Sequence, residues 1–315
     1  LRQAFAAYLG ARCCVGLASG LDSLWMAFRL LGIGPGDEVV VCANAYIACV
    51  MGITINGASP VFVEPDEYDN IDAAASRPLS PPQQRPFWLF TSLARPAIWM
   101  QSARSSANTG FGWWRTVHKA TVHCFTGNNP ARLGDIGCFS FYPTKGLGAF
   151  GDGGCIVTDD EELAGRCRAL RNYGSRVKYH NEVVGANSRL DEIQAGLLHV
   201  KLGFLEELNQ ERREIARRYQ EGLDTAFLTL PKVRPGVTST WHQFVIHSPH
   251  RDALKAWLAE NGIGSEIHYP IPPHLSEAYR YLGYHEGDFP ITEKNAREVL
   301  SLPMFNGLRE DEQAS

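Results

Sequence analysis

The chain has 315 residues, of which 44% are hydrophobic and 20% charged, and its formal net charge is −4. This composition is typical of a globular protein, and the length favours one large domain with a smaller one. No basic stripe indicates a nucleic-acid partner, and no apolar run is long enough to cross a membrane.

The start of the chain, LRQAFAAYLG, lacks the basic and apolar stretches of a signal peptide. It predicts an amphipathic helix with Leu1, Phe5, Tyr8 and Leu9 on one face. The sequence begins without Met and stops at DEQAS, so we expect both ends to be truncated. The 8 cysteines include no CxxC pair, which favours buried thiols in a reducing cytoplasm over a zinc site.

Strands and helices alternate through residues 1–72. The apolar pattern predicts strands at 13–18, within 34–46 and at 59–65, and helices at 21–32 and about 45–56. This βαβ alternation indicates a largely parallel sheet covered by helices.

The alternation resumes near residue 136. It predicts strands in 136–143 and 153–160, a helix in 160–174, and a long helical stretch over 188–222 with Asn187 or Ser188 as its N-cap. Farther on it predicts a strand at 241–248, a helix ending at Gly262, and a strand at 264–270. We therefore predict a large domain over 1–205 and a small α+β domain over 206–315.

Residues 73–130 interrupt this organisation. They show no sustained period, cluster Trp, Ser and Arg, and contain no Asp or Glu. A loop of this length without secondary structure is uncommon inside a compact domain, so an ordinary loop does not explain the segment.

The segment CFSFYPTKGLGAFGDGGCIVTDD, residues 138–160, is the most informative part of the chain. It places Lys145 in a Gly-rich loop between two predicted strands. An accessible amine there suits covalent binding of a carbonyl cofactor, and the glycines let backbone pack against a flat ring. An isolated Lys-Gly pair would more often be a solvated loop lysine.

The sequence FSFYPTK followed by GDGG resembles the lysine motif of the DegT-DnrJ-StrS family of sugar aminotransferases. Segments such as GIGPGDEVVVCANAYIA, PVFVEPDEYDNID and NSRLDEIQAGLL extend the resemblance over nearly all of the chain outside 73–130. SGLDSL, AYIA and YHNE look most like enzymes that aminate C3 of a nucleotide-linked 3-keto-6-deoxyhexose. A dehydratase branch of the family has His in place of Lys145, so the lysine favours amino transfer.

The resemblance implies a fold and a reaction. The fold is the PLP-dependent transferase fold type I, similar to aspartate aminotransferase, with a mainly parallel sheet in the large domain. The reaction is amino transfer, with L-glutamate as the expected donor, to a keto group of a nucleotide-linked deoxysugar. The resemblance also implies pyridoxal 5′-phosphate (PLP) as cofactor, a cytoplasmic homodimer, and no bound metal.

Family roles can be carried over to the cofactor side of the site. Lys145 would bind PLP and then act as acid and base. The helix start at Gly20, Leu21 and Asp22 would hold the cofactor phosphate with backbone amides, although the family often has Thr at position 21. Ser140 would be a second phosphate ligand; a serine buried in a strand is the plain alternative.

Other positions match residues on the ring, the partner and the substrate. Tyr46 would stack on the pyridine ring, although a core aromatic is almost as plausible. Asn187 would reach the cofactor phosphate of a neighbouring subunit, or simply cap a helix. Tyr142, His268 and Tyr269 match substrate-side positions, where a His-Tyr-Pro strand end alone would more often be structural.

One family residue is missing. The family supplies a carboxylate to the pyridine nitrogen from a strand similar to VVEDCAQSHGA. The corresponding segment here, FGWWRTVHKATVH, has no Asp or Glu. In a shifted reading frame, the third base of each codon is read with the first two bases of the next codon. The shifted frame is compatible with the string V-E-D-C-A-Q-[SG]-H-G-A, because the Trp113–Trp114 junction forces Val and the Arg115–Thr116 junction permits Asp.

The same shift makes residues 88–102 compatible with AVHLxGQAxDMDAV. This string resembles the family sequence AVHLYGQPADMDAI at the same place. We therefore predict that residues 77–129 are translated out of frame and fold poorly. Two alternatives follow for function: an inactive product of a decayed gene, or a regulatory homologue that keeps the fold without turnover.

Overall fold

A computed structural model describes residues 1–71, 87–89, 112–113 and 136–314. Most of the predicted out-of-frame segment, and with it the position of the missing carboxylate, therefore lies outside the described residues. Within the described residues, none of the helices combines the length and apolar character needed to cross a bilayer.

The helices and strands follow in chain order. They are α1 (Arg2–Leu9), β1 (Cys13–Leu17), α2 (Gly20–Leu30), β2 (Glu38–Cys42), α3 (Ile47–Thr54), β3 (Ser59–Val63), β4 (Phe87–Leu89), β5 (Gly112–Trp113), β6 (Gly137–Ser140), β7 (Gly154–Thr158), α4 (Glu161–Leu170), β8 (Ser175–Val177), β9 (His180–Asn181), α5 (Glu192–Leu202), α6 (Leu205–Gly222), β10 (Phe244–His247), α7 (Arg251–Glu260), α8 (Pro290–Glu298), β11 (Val299–Leu302) and α9 (Glu310–Ala314). Two 3₁₀ segments, Pro273–Leu275 and Glu277–Leu282, precede α8.

The larger region of the molecule contains two sheets among the described residues. One has the order β3-β2-β4-β5 and is parallel throughout. The other has the order β1-β7-β6, and β7 is antiparallel to both neighbours. The parallel pairing expected from sequence is thus found in one sheet and not in the other, because apolar runs reveal burial of a strand but not its direction.

The central helix α2 lies in the largest apolar cluster. Leu24, Met26 and Phe28 are fully buried, as are Val39 and Val41 of β2. A strand covered on both faces has a continuous apolar sequence, which is why EVVVC shows no alternation. Burial on this scale fixes α2 against the sheet and so determines where its first turn lies.

A second apolar cluster packs α1 onto the antiparallel sheet. The Phe5 ring meets Phe139 and Phe141 edge to face, with centroids 5.2 Å and 5.3 Å away. Phe5 and Leu9 are buried as the predicted amphipathic face requires, while Leu1 and Tyr8 are partly buried against the same cluster.

Three sequence expectations were wrong. The stretch 188–222 is two helices, because Gly203 and Phe204 separate α5 from α6. The N-cap residue of α5 is Asp191, since the Ser188 hydroxyl is engaged elsewhere by the Ala18 amide and the Asp22 carboxylate. The segment 264–270 forms only an isolated bridge from Glu266 to Ser301, and the prolines after it lack amide donors.

Polar contacts join the C-terminal region to the rest of the molecule. Glu64, after β3, accepts the amide hydrogens of Ile291 at 2.7 Å and Thr292 at 3.0 Å, so it caps the start of α8. Arg234 forms an ion pair with Asp66 at 2.6 Å. These contacts fix residues 206–314 beside the end of the parallel sheet.

Candidate active site

The start of α2 lies directly against β7. The Ser19 hydroxyl accepts the Asp22 amide hydrogen at 3.0 Å and caps the helix. A Cβ at Gly154 would lie 2.3 Å from the Ser19 carbonyl oxygen and 2.8 Å from the Gly20 nitrogen. Only glycine permits this approach, which leaves a backbone-lined cradle at a helix N-terminus, where an anion is favoured.

Of the three residues predicted to hold the phosphate, Asp22 differs from Gly20 and Leu21. The amide of Asp22 is bonded to Ser19, and its carboxylate accepts hydrogen bonds from Trp25 Nε1 and Ser188 Oγ, both at 2.8 Å. Asp22 thereby fastens α2 to the segment before α5. Gly20 and Leu21 are left to offer backbone amides at the helix start.

Ser140 lies one strand away from this cradle. It is paired in register with Gly154, which in turn touches the start of α2. Its hydroxyl accepts the Tyr142 amide hydrogen at 3.3 Å. Ser140 is half-buried at the end of β6, where the chain enters the lysine loop.

The lysine loop, residues 141–153, turns tightly. The Lys145 amide donates to the Tyr142 carbonyl at 2.8 Å. A Cβ at Gly148 would lie 2.2 Å from the Pro143 carbonyl oxygen, so the turn requires glycine. Lys201 Nζ of α5 donates to the Gly148 carbonyl at 3.2 Å and supports the loop from outside.

The Lys145 amine is adapted to act as a neutral group. Burial lowers the pKa of Lys145 from its ordinary value to about 8, and the Cys49 thiol opposes this shift. No carboxylate of the described residues is among the groups that influence it. At neutral to mildly alkaline pH a substantial fraction of this amine is therefore unprotonated and nucleophilic.

Two tyrosines stack beside the lysine loop. The rings of Tyr46, just before α3, and Tyr269 have centroids 4.9 Å apart at 30°. Burial raises the pKa of the Tyr269 phenol, and Cys49 adds to the shift. The Cys49 thiol influences the pKa of both Lys145 and Tyr269, so both side chains lie in the neighbourhood of that thiol. His268 is fixed beside them by a 2.8 Å hydrogen bond between Nδ1 and Ser301 Oγ.

A polar cleft adjoins Tyr269. Its volume is about 90 Å³, and its lining includes Asn44, Asp69, His242, Gln243, His268 and Tyr269. Sequence reasoning missed Asn44 and His242. Asn44 follows β2 at the carboxyl end of a parallel strand, a position where ligands bind in open α/β sheets, and that signal could have found it.

The side chains of two predicted residues are exposed to solvent. Asn187 is exposed, and its side chain accepts a hydrogen bond from Arg189 Nε at 3.0 Å. The Tyr142 side chain is also exposed, on the lysine loop. The role of Asn187 at a neighbouring subunit stays a prediction.

The described residues fit a flat phosphorylated aldehyde. The cradle at Gly20 and Leu21 suits a phosphate, the Lys145 amine suits a carbonyl carbon, and Tyr46 offers an aromatic face. The glycine at 154 supports this fit, because any side chain there would collide with Ser19 and displace the start of α2.

The family model described as DegT/DnrJ/EryC1/StrS aminotransferase family matches residues 1–79 and 114–315. The interval between the two matched parts falls inside the predicted out-of-frame segment.

Two curated relatives are similar along most of their length. A dTDP-3-amino-3,6-dideoxy-alpha-D-galactopyranose transaminase of Aneurinibacillus thermoaerophilus is 42% identical over 95% of this chain and 82% of its own. A pleiotropic regulatory protein of Geobacillus stearothermophilus is 39% identical over 99% of this chain and 85% of its own.

Two solved structures show the same fold. The crystal structure of DesV from S. venezuelae aligns with a TM-score of 0.94 at 40% identity, covering 99% of this chain and 85% of that one. NtdA from Bacillus subtilis, solved with bound cofactor PMP, aligns with a TM-score of 0.89 at 25% identity, covering 99% of this chain and 73% of that one.

Proposed function

Because this chain belongs to the DegT/DnrJ/EryC1/StrS aminotransferase family, we propose that it transfers an amino group from L-glutamate to the keto group of a nucleotide-linked deoxysugar, with PLP as cofactor. The observation that carries the proposal is the half-buried Lys145 amine with a pKa of about 8, in a fold where the start of α2 packs against Gly154 at a distance that only glycine permits. The name of the Aneurinibacillus relative, a 3-amino-3,6-dideoxyhexose transaminase, supports C3 of a 3-keto-6-deoxyhexose as the position aminated.

We propose the fold type I arrangement for the domains, with residues 1–205 holding the cofactor and 206–315 closing over the sugar. The ion pair of Asp66 with Arg234 and the capping of α8 by Glu64 cross the proposed boundary and would hold the two domains against each other.

Each residue of the site would have a separate task. When bound, PLP withdraws electrons from the carbon that carries the amino group. The amides of Gly20 and Leu21 and the Ser140 hydroxyl would hold the phosphate. Tyr46 would cover one ring face, and its stacking on Tyr269 fixes the orientation of both side chains.

Lys145 would move the proton that amino transfer requires. With a pKa near 8, its Nζ can take a proton from one carbon and return it to another without a large energetic cost in either direction. His268 and Tyr269 line the cleft, and Tyr269 stacks on Tyr46, which supports their predicted role toward the sugar.

A second copy of the chain is part of the proposal. Ile193, Leu197, Val200 and Phe204 are exposed and follow one another at helical spacing along and just beyond α5. A contiguous apolar face of this kind marks an interface. Asn187 is exposed shortly before the start of α5, so a copy docked on this face would bring it near the partner's site. Sedimentation of the purified protein would reveal a monomer if this part is wrong.

The test of the proposed function separates the two half-reactions. L-glutamate should convert the bound cofactor to its amino form, detected by its absorbance, and release 2-oxoglutarate. A nucleotide-linked 3-keto-6-deoxyhexose should then restore the aldehyde form. Conversion by neither compound, with cofactor bound, would contradict the proposal.

A second candidate function rests on a specific observation. Residues 73–130 contain no Asp or Glu, so the carboxylate that keeps the pyridine nitrogen protonated is missing from the segment where the family supplies it. A fold that binds the cofactor without turnover would be a regulatory homologue, as the name of the Geobacillus relative suggests for that protein.

The two candidates separate in one comparison. Turnover and cofactor binding are measured for the unaltered chain and for a variant in which residues 77–129 are replaced by the translation of the alternative frame. Turnover in the replaced variant alone would identify the segment as out of frame, and turnover in both would show that this carboxylate is dispensable. Cofactor binding without turnover in both would favour the regulatory homologue.

A further inference from the structure

The polar cleft beside Tyr269 lies between the end of β2 and the C-terminal region. Asn44 and Asp69 line it from the larger region, and His242 and His268 line it from the other side. Tyr269 belongs both to this lining and to the stack with Tyr46. The cleft therefore opens next to the proposed cofactor position.

Asn44 presents an acceptor that receives no hydrogen bond within the part of the chain that the structure describes. Its Nδ2 donates to the Asp69 carbonyl at 3.4 Å, whereas its Oδ1 is buried and has no hydrogen-bond partner among the described residues. Buried acceptors are almost always satisfied, so an unsatisfied one on a residue that lines a cleft is a position where the hydroxyl of a ligand could donate.

A buried cation holds the turn that brings His242 to the cleft. Arg212 of α6 donates from Nη1 to the carbonyls of Trp241 at 3.3 Å, His242 at 3.4 Å and Met304 at 3.1 Å. Trp241 has a φ of 47°, in the left-handed region that bulky residues seldom adopt. Surrounding contacts must stabilise such a conformation, and Arg212 provides them.

The chemistry of the lining restricts the ligand. Among the described residues that line the cleft there is no Lys or Arg, while Asp69 contributes a carboxylate. A phosphate or carboxylate would be disfavoured beside this carboxylate. Hydroxyl groups match the lining, because they donate to an amide oxygen and accept from an imidazole.

We propose that this cleft recognises hydroxyl groups of the sugar, with Asn44 Oδ1 as acceptor, His242 as second contact and Arg212 as a positioning residue, an inference that rests on the proposed function. Lys145 and the helix start would then fix the cofactor, while the cleft would distinguish one sugar from another.

Calorimetric titration tests this without requiring turnover. The protein with the cofactor bound in its amino form, which cannot exchange an amino group with an amino sugar, is titrated with dTDP and with dTDP-3-amino-3,6-dideoxy-α-D-galactopyranose. We expect Asn44→Ala to weaken binding of the amino sugar nucleotide about tenfold, the size of one lost hydrogen bond, and to leave dTDP binding unchanged. Asn261→Ala, at an exposed asparagine after α7, is the matched control and should change neither value.

A second variant keeps the test decisive if Asn44→Ala does not fold. Arg212→Lys keeps the charge but cannot reach three carbonyls, so it should weaken binding of the sugar nucleotide several-fold and spare dTDP. Equal losses for both compounds, or no loss for either, would overturn the cleft assignment. If the unaltered protein binds neither compound, the proposed function fails first, and this outcome is distinct from a failure confined to the variants.

Discussion

The proposed cofactor side and the proposed substrate side of this molecule are held in place by different kinds of contact. On the cofactor side, β7 meets the start of α2 through backbone alone, and a single Cβ at Gly154 would collide with Ser19. On the substrate side, side chains make the contacts, as Glu64 does with α8 and Arg212 does with the Trp241 turn. The backbone contact at Gly154 does not tolerate an added atom. A side-chain contact can be weakened or replaced by substitution without a collision.

This difference suits the two tasks. A cofactor common to a whole family requires one fixed geometry, which close backbone packing supplies. A sugar that differs among relatives requires contacts that substitution can retune, and hydrogen-bonding side chains provide them.

The largest expected effect comes from the cofactor side. Lys145→Ala removes the amine that binds the cofactor and moves the proton, so we expect transamination to fall by more than about a thousandfold. The measurement is the rate of 2-oxoglutarate release. Lys294→Ala, at an exposed ion pair on α8, serves as control and should retain the full rate.

Gly154→Ala tests whether backbone contact fixes the cradle. The added Cβ would lie 2.3 Å from the Ser19 carbonyl oxygen, so α2 or β7 must shift. We expect the free energy of unfolding to fall by about 1–3 kcal/mol and PLP to bind more weakly. Gly165→Ala is the matched control, because nothing lies within 4 Å of its added Cβ, and in helix α4 it should be neutral or slightly stabilising. Full PLP affinity in Gly154→Ala would show that backbone packing at this position does not fix the cofactor, contrary to the contrast drawn with the substrate side.

The pH dependence of cofactor capture follows from Lys145. The amine reacts when neutral, and burial lowers its pKa to about 8. The neutral fraction should therefore rise with pH, from about a tenth at pH 7 to about half at pH 8. Stopped-flow mixing of the cofactor-free protein with PLP should give a rate that rises about fivefold over that interval. A rate still rising in proportion to hydroxide at pH 10 would show that the amine is not shifted.

Glu64→Gln should give the smallest effect and represents the substrate side. The carboxylate accepts two amide hydrogens and the Thr292 hydroxyl at the start of α8. Losing its charge should lower the free energy of unfolding by about 1 kcal/mol and raise KM for the sugar nucleotide a few-fold. Chemical denaturation and steady-state kinetics measure the two quantities, and Glu277→Gln at an exposed glutamate is the control. A larger loss of unfolding free energy in Glu64→Gln than in Gly154→Ala would show that the substrate side, and not the cofactor side, is the more sensitive to substitution.

The sequence predicted best where a period is strong or a motif is long. The segments from α1 to β3 have clear apolar periods, and the lysine loop has a motif that identifies the family. Ser188 could not be assigned correctly, because its hydroxyl bonds to Asp22 from a position 166 residues away in the chain. Tertiary contacts of this kind override local capping preference.

The cleft was missed for a related reason. His242 lies in TWHQ, a segment without periodicity, and it reaches the cleft only because Arg212 from α6 holds its backbone. Asn44 looks like a turn residue after β2 until its partner Asp69 is known. Long-range side-chain contacts determine both positions, and a single sequence does not contain that pairing.

The central claim is that Lys145 carries the cofactor. The direct measurement is borohydride reduction of the protein after incubation with PLP, followed by digestion and mass spectrometry of the lysine-containing peptides. We predict that the reduced cofactor is attached to the peptide that contains Lys145, and that Lys145→Ala carries none. Attachment to another lysine, or no attachment to the unaltered chain, would contradict the account.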